Sequence, residues 1–213
     1  MKNLIRLLST ALILVLFGFT PYAFGQSVQS EEEPSHKDLQ IEPDRSVHLQ
    51  VNEGSWMSLD VHPSGEKMVF EFMGNLFELA IDGGEPIQLT HGMAFDAQPS
   101  YSPDGNKVVF ISDRSGGENV WILDLETMKT KQRTRGNNYR MQSPIFTPDG
   151  DYIIAARTGL RSGVHKLWMY HVDGGNGTEF MDTPNNLKTI EPAFGGDDQY
   201  LWFSQRTGDW NYN

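Results

Sequence analysis

A four-residue turn recurs along this chain and decides what it can fold into. It reads His62-Pro63-Ser64-Gly65, then Ser102-Pro103-Asp104-Gly105, then Thr147-Pro148-Asp149-Gly150, with a degenerate copy at Gly195-Gly196-Asp197-Asp198. The second residues are 63, 103, 148 and 196, so the spacings are 40, 45 and 48. Proline presets φ at about −65° in the second turn position, and glycine tolerates the left-handed exit in the fourth. The leading serine or threonine hydroxyl bonds the backbone that follows. Each copy is therefore expected to join two antiparallel strands.

The residues after each turn fit that expectation. Met68-Val69-Phe70, Val108-Val109-Phe110-Ile111, Ile153-Ile154-Ala155-Ala156 and Leu201-Trp202-Phe203 are apolar runs too short for helices. They read as strands covered on both faces. A third strand recurs at Leu76-Phe77-Glu78-Leu79, Val120-Trp121-Ile122-Leu123 and Leu167-Trp168-Met169-Tyr170. Asp82-Gly83-Gly84 and Asp173-Gly174-Gly175 then supply hairpin turns. Fourth strands end near Leu89-Thr90, Arg133-Thr134 and Asp182-Thr183, and segments such as Gln98-Pro99-Ser100-Tyr101 lead into the next marker.

Four-stranded units at this period are the blades of a β-propeller, in which neighbours cover the sheet faces that one blade cannot bury alone. The fold class is all-β: a β-propeller of four-stranded antiparallel blades at about 53–90, 94–134, 140–183 and 188–213. The last is partial, so the ring is incomplete, with three full blades plus part of a fourth. Closed propellers use about four to eight blades, and the sequence is therefore expected to be a fragment of a longer product.

The N-terminus reads as an export signal. Lys2 and Arg6 precede an apolar run of 13 residues, Leu7 to Phe19. That is short of the roughly 20 needed to span a bilayer. Ala23-Phe24-Gly25 offers small residues for cleavage, which makes 1–25 a signal peptide and Gln26 the expected mature start, in the periplasm or outside the cell. The chain has no cysteine, which excludes disulfides, thiolate metal sites and a lipid-anchored N-terminus. No membrane anchor is expected after cleavage. Residues 26–52, with Glu31-Glu32-Glu33-Pro34, read as a flexible linker. Beyond residue 25 there are 15 basic residues against 28 acidic ones. Such a surface repels phosphate backbones, so nucleic acid is not an expected partner.

No catalytic constellation is present: there is no His-x-His, His-Glu-x-x-His, Gly-x-Ser-x-Gly or P-loop. No catalytic, cofactor-binding or metal-ligating residue is assigned. His165 and His171 share a strand face but stand about 20 Å apart if extended, too far for a metal pair. Asp104 and Asp149 read as turn caps rather than calcium ligands. A second recurrence is Asp113-Arg114-Ser115-Gly116, Arg157-Thr158-Gly159 and Arg206-Thr207-Gly208, each closing a second strand with arginine, a hydroxyl residue and glycine. These loops share a face with the loops entering each first strand, which carry Asp96, Tyr139 and Arg140. Asp96, Arg114, Tyr139, Arg140, Arg157 and Arg206 thus form a candidate binding face for a carboxylate or a partner's acidic segment. Alternatively each arginine pairs locally and holds its own turn.

The Ser-Pro-Asp-Gly…Val-Val-Phe-Ile-Ser-Asp-Arg…Asn-Val-Trp-Ile run at 102–122 resembles the TolB-type propeller repeat, and the resemblance extends over residues 53–213. Ser64 departs from it, standing where the family has aspartate. Glu53 to Val61, Phe95-Asp96-Ala97-Gln98-Pro99 and Arg206 to Asn213 most resemble the N-terminal propeller of exported amidohydrolases. That resemblance implies a metal-dependent hydrolase domain downstream, whose ligand histidines lie beyond residue 213. A divalent metal is implied only with that domain. The implied partner of the blades is the catalytic domain or an envelope protein. TolB proper carries a sizeable α/β domain before its blades, and here only the 26–52 leader stands there. A TolB-like interaction module of the cell envelope and the propeller of a prolyl-oligopeptidase-like or tricorn-like peptidase remain as alternatives.

Overall fold

The computed structural model describes residues 45, 48, 50, 51, 53–55, 57–159, 163–181 and 187–206. The expected signal peptide lies outside them, as does most of the expected linker. The described residues form antiparallel sheets in sequence order. Blade 1 is β1 (Leu59–Val61), β2 (Lys67–Phe72), β3 (Asn75–Ala80) and β4 (Ile87–Gln88). Blade 2 is β5 (Asp96–Tyr101), β6 (Lys107–Ser112), β7 (Asn119–Asp124) and β8 (Lys129–Gln132). Blade 3 is β9 (Tyr139–Phe146), β10 (Tyr152–Gly159), β11 (Lys166–His171) and β12 (Thr178–Glu179). Blade 4 contributes β13 (Lys188–Phe194) and β14 (Leu201–Arg206). This is an incomplete β-propeller, three blades and part of a fourth.

The marker turns join first and second strands. In blade 2, Gly105 N donates to Ser102 O at 2.8 Å and Lys107 N to the Ser102 hydroxyl at 2.9 Å. Asp104 Oδ1 accepts from that hydroxyl at 2.5 Å and from Asn106 N at 3.1 Å. Blade 3 repeats the set with Thr147, Asp149, Asp151 and Tyr152. The hydroxyl bond is the main reason both carboxyls sit below the usual carboxylate range. The aspartates cap turns.

The second strands show why their sequence is apolar without alternation. Val108 and Phe110 of β6 pack toward blade 1, with Val69, Leu76 and Leu89. Val109 and Ile111 of the same strand pack toward blade 3, with Ile153, Ala155 and Tyr170. Ile154, Ala156 and Leu167 then meet Ile190, Leu201 and Phe203 of blade 4. The sheets of blades 2 and 3 are covered on both faces, so both sets of alternating positions in β6 and β10 are apolar, whereas Trp202, in the run expected to be covered on both faces in blade 4, is exposed.

The first strands β1, β5, β9 and β13 neighbour one another, which makes them the innermost strand of each blade. Three of them break register at a dipeptide ending in proline: Gln98-Pro99, Ser143-Pro144 and Glu191-Pro192. Gln98, Ser143 and Glu191 have φ of 54°, 51° and 54°, and the prolines behind them are buried. Proline has no N–H for the ladder and is tolerated in a strand at such a bulge. A non-glycine residue at positive φ costs free energy and persists only where its surroundings hold it. Here the neighbouring blade holds it. Gln98 N donates to Ser58 Oγ at 3.0 Å and to Glu71 Oε2 at 2.6 Å in blade 1. Ser143 N donates to Gln98 Oε1 at 2.5 Å in blade 2. Asp60 Oδ2 adds two bonds across the first joint, from Ser100 Oγ at 2.9 Å and Tyr101 N at 2.8 Å.

Candidate functional site

Strand register fixes which loops share a face. Asp96 opposes Ser112, Tyr139 opposes Gly159, and Lys188 opposes Arg206. The entry to each first strand therefore lies beside the exit of each second strand.

Arg114 and Asp96 come together. Arg114 Nη2 donates to Asp96 Oδ2 at 2.6 Å, with side-chain exposures of 9% and 1%. The same guanidinium donates from Nε to Ser112 Oγ at 3.0 Å and from Nη1 to Thr130 Oγ1 at 3.2 Å. It also lies over the rings of Phe110 and Trp121, 5.4 and 5.2 Å from their centroids. Asp113 Oδ1 accepts Phe95 N at 2.8 Å, tying the two loops of the blade together. Ser115 Oγ accepts from Asn119 Nδ2 at 3.1 Å and Gln132 Nε2 at 2.9 Å. The whole Asp-Arg-Ser-Gly loop is thus engaged with its own blade, and Arg114 presents its charge to a buried carboxylate.

Arg157 is held differently. It lies between the rings of Tyr139 and Trp168, 4.1 and 4.2 Å from their centroids, a double cation–π stack. Tyr139 Oη donates to Arg135 O at 2.6 Å, which locks one side of the stack. Below it Tyr170 is buried, and burial pushes its hydroxyl up to about 12. Arg157-Thr158-Gly159 is the closing triplet of β10, with Arg157 itself nine residues after Pro148, as Ser112 lies nine after Pro103. Arg114 stands two residues past β6, and Arg206 is the last residue of β14. The three arginines are not repeat equivalents, because they stand 11, 9 and 10 residues after the second marker residue.

Lys188 and Arg140 both lie close enough to His165 to act on its charge, at the joint of blades 3 and 4. Burial lowers the pKa of His165, and the positive fields of Lys188 and Arg140 lower it further. Thr189 N donates to His165 O at 2.9 Å, which sets the entry of β13 against this histidine. Arg140 and Arg206 are exposed, and Arg206 opposes Lys188 in the ladder. His165 and Lys188 were not in the candidate set. Lys188 was findable, because it opens the first strand opposite the arginine that closes the second. Among the described residues no three His, Asp or Glu side chains converge as metal ligands, so no metal-dependent step is assigned to them. The exposed guanidinium groups of Arg140 and Arg206 can hold an anionic group by charge.

The chain matches the TolB beta propeller domain over residues 39–161. A protein TolB homolog of Chlorobium luteolum is 39% identical over 62 residues, 29% of this chain and 14% of that protein. Tricorn protease homolog 1 of Streptomyces coelicolor is 29% identical over 119 residues, 55% of this chain and 11% of that protein. The crystal structure of TolB from Acinetobacter baumannii superposes with a TM-score of 0.57 at 19% identity, covering 69% of this chain and 37% of that one. The chain thus spans only a minor part of these relatives. The family match takes in the first two marker turns, the Asp96–Arg114 pair and the third turn up to β10. By that match and by its blades, the chain belongs to the TolB β-propeller family.

Proposed function

We propose that this chain is the propeller segment of an exported protein, a non-catalytic module N-terminal to a metal-dependent amidohydrolase domain, which it gates or to which it delivers a bound ligand. The observation that carries a binding role is the pair of exposed arginines Arg140 and Arg206, at the entry of a first strand and the end of a second strand, set in a chain of net charge −11. A cluster of one sign against a field of the other attracts carboxylates, and it orients an acidic segment toward the propeller axis. The signal-like residues 1–25 support export, to the periplasm or beyond. Any divalent metal belongs to the catalytic domain.

The tests are direct. The purified chain should show no amide hydrolysis with or without added divalent metal, and metal-dependent turnover would refute the non-catalytic reading. An acidic peptide should bind more weakly to the Arg140→Gln variant and show a steep salt dependence. N-terminal sequencing of the exported form should begin at Gln26. The match to the tricorn protease homolog favours a second reading, the propeller of a peptidase. A Gly-x-Ser-x-Gly motif in the longer gene product would select it, and an early His-x-His would select the amidohydrolase.

A further inference from the structure

Successive marker turns pack against one another, and one joint fills that contact with a ring where the next leaves it open. At the joint of blades 1 and 2 the ring belongs to His62, the first marker residue of blade 1. It stands edge-on to Tyr101 of blade 2, with centroids 4.9 Å apart. Its Nε2 fills the space into which a Cβ at Gly105 would project, and Gly105 is buried. Its Nδ1 accepts Ser64 N at 3.1 Å, so the ring also holds its own turn.

At the joint of blades 2 and 3 the same places are held by Ser102, Phe146 and Gly150. Serine brings no ring, and the nearest atom to a Cβ at Gly150 would be Pro103 Cδ, 3.9 Å away. A cavity of about 380 Å³ results, with Ser102, Phe146 and Gly150 in its wall. That volume lies in the range of small-molecule sites. Ile122 and Val172 add apolar surface. Ile122 opposes Val109 as Glu78 opposes Val69, so an apolar side chain replaces the carboxylate that accepts Tyr101 Oη at 2.9 Å in the joint before. Charge surrounds this interior: the carboxylates of Asp104, Asp149, Asp151 and Asp173 outnumber the cations of Lys107 and Arg133. Asp104 and Asp149, held below the usual carboxylate range by their turns, are ionised at neutral pH.

We propose that this cavity binds a small amine built on a flat apolar ring. The ring takes the place beside Phe146 and Gly150 that the His62 ring takes beside Tyr101 and Gly105. The ammonium group stays at the rim, among the carboxylates. Phe146 and Ile122 offer no polar atom where Tyr101 and Glu78 offer two, so a hydrocarbon ring suits the interior and a charge does not. The excess of carboxylates selects a cation over an anion. The site lies at the marker-turn end of the blades. Arg140 and Arg206 stand at the other strand ends, so the two sites are separate and take opposite charges.

The probe is phenethylamine, titrated into the full chain by calorimetry while NMR follows the methyl groups of Ile122 and Val172. Binding should be saturable, and the ring current should shift both sets of methyl resonances. Hydrocinnamate, a similar ring with a carboxylate, should not bind. Spermidine, which has charge without a ring, should bind about tenfold more weakly for want of an apolar body to bury. Asp151→Asn and Asp173→Asn should each weaken the amine about threefold, the worth of one exposed charge pair. Ser102→His supplies the missing ring from the chain itself and should abolish binding, while its Nδ1 can hold the turn as that of His62 does. Val172→Phe fills the cavity from the opposite wall and serves if the histidine variant misfolds. No saturable binding, spermidine binding as well as phenethylamine, unmoved methyl resonances, or affinity that both filling variants leave intact overturns the proposal.

Discussion

Removing the guanidinium of Arg114 separates a structural arginine from a ligand-binding one. Asp96 is 1% exposed at its side chain, and Arg114 is the donor to its Oδ2. Asp96 Oδ1 has no hydrogen-bond partner among the described residues. In Arg114→Ala the carboxylate stays in the interior without its counter-charge, which costs about 3–5 kcal/mol. Contact with the Phe110 and Trp121 faces is lost as well, at about 0.5–1 kcal/mol each. A domain of this kind is stable by only about 5–15 kcal/mol, so the variant should melt roughly 10 °C lower. Asp96→Ala should cost less, because Arg114 keeps Ser112, Thr130 and the two rings. The double variant should cost less than the sum of the singles, with a coupling of at least about 1.5 kcal/mol. Urea denaturation with a common m-value measures all four corners of the cycle. An Arg114→Ala protein as stable as the parent, but impaired in binding an acidic peptide, would sink the structural assignment.

The remaining expectations concern the turns, the joints and His165. Asp104 has a depressed folded-state pKa, so its stabilising contribution is present above the ordinary carboxylate range and is lost as pH falls through the folded value. Asp104→Ala should therefore be less stable at neutral pH and show a flatter acid limb in pH-dependent melts. Gln98→Ala leaves Ser143 N without its acceptor and should cost about 1–3 kcal/mol in chemical denaturation. The lowered pKa of His165 means that the folded state resists protonation there, so stability should fall as pH drops below the usual histidine range. Arg140→Gln should raise that pKa in an NMR titration of the ring, and an unmoved titration would dissociate the two residues.

What was legible in the sequence was what local chemistry encodes. A Ser-Pro-Asp-Gly turn needs only its own residues and the next two, so Ser102 to Lys107 fixes blade phase without knowledge of the rest. The apolar second strands were legible for the same reason, since burial on both faces removes alternation. The joints were not legible. Gln98-Pro99 reads as an ordinary strand entry until Ser58 and Glu71, 40 and 27 positions away, are seen to hold its N–H. The arginine recurrence is out of phase in the sequence itself, since Arg114 stands 11 residues past Pro103, Arg157 nine past Pro148 and Arg206 ten past Gly196. Of the expected fourth-strand ends, Asp182-Thr183 lies outside the described residues. Thr90 and Thr134 accept Leu76 N and Val120 N at 2.9 Å, but the acceptor for Leu167 N is Thr189, on the next blade's first strand, at 3.2 Å.

The bulge bonds across the blade joints run one way. The acceptor side chain belongs to the earlier blade, and the captured N–H belongs to the later one, at Gln98 and again at Ser143. A chain made from its N-terminus delivers the acceptor first. At these two joints the arriving strand therefore meets an acceptor already delivered, whereas Leu167 N of blade 3 takes its acceptor, Thr189, from the blade that follows. At both joints the strained residue stands on the later blade and the side chain that holds it on the earlier one, so the order of synthesis and the direction of these bonds agree.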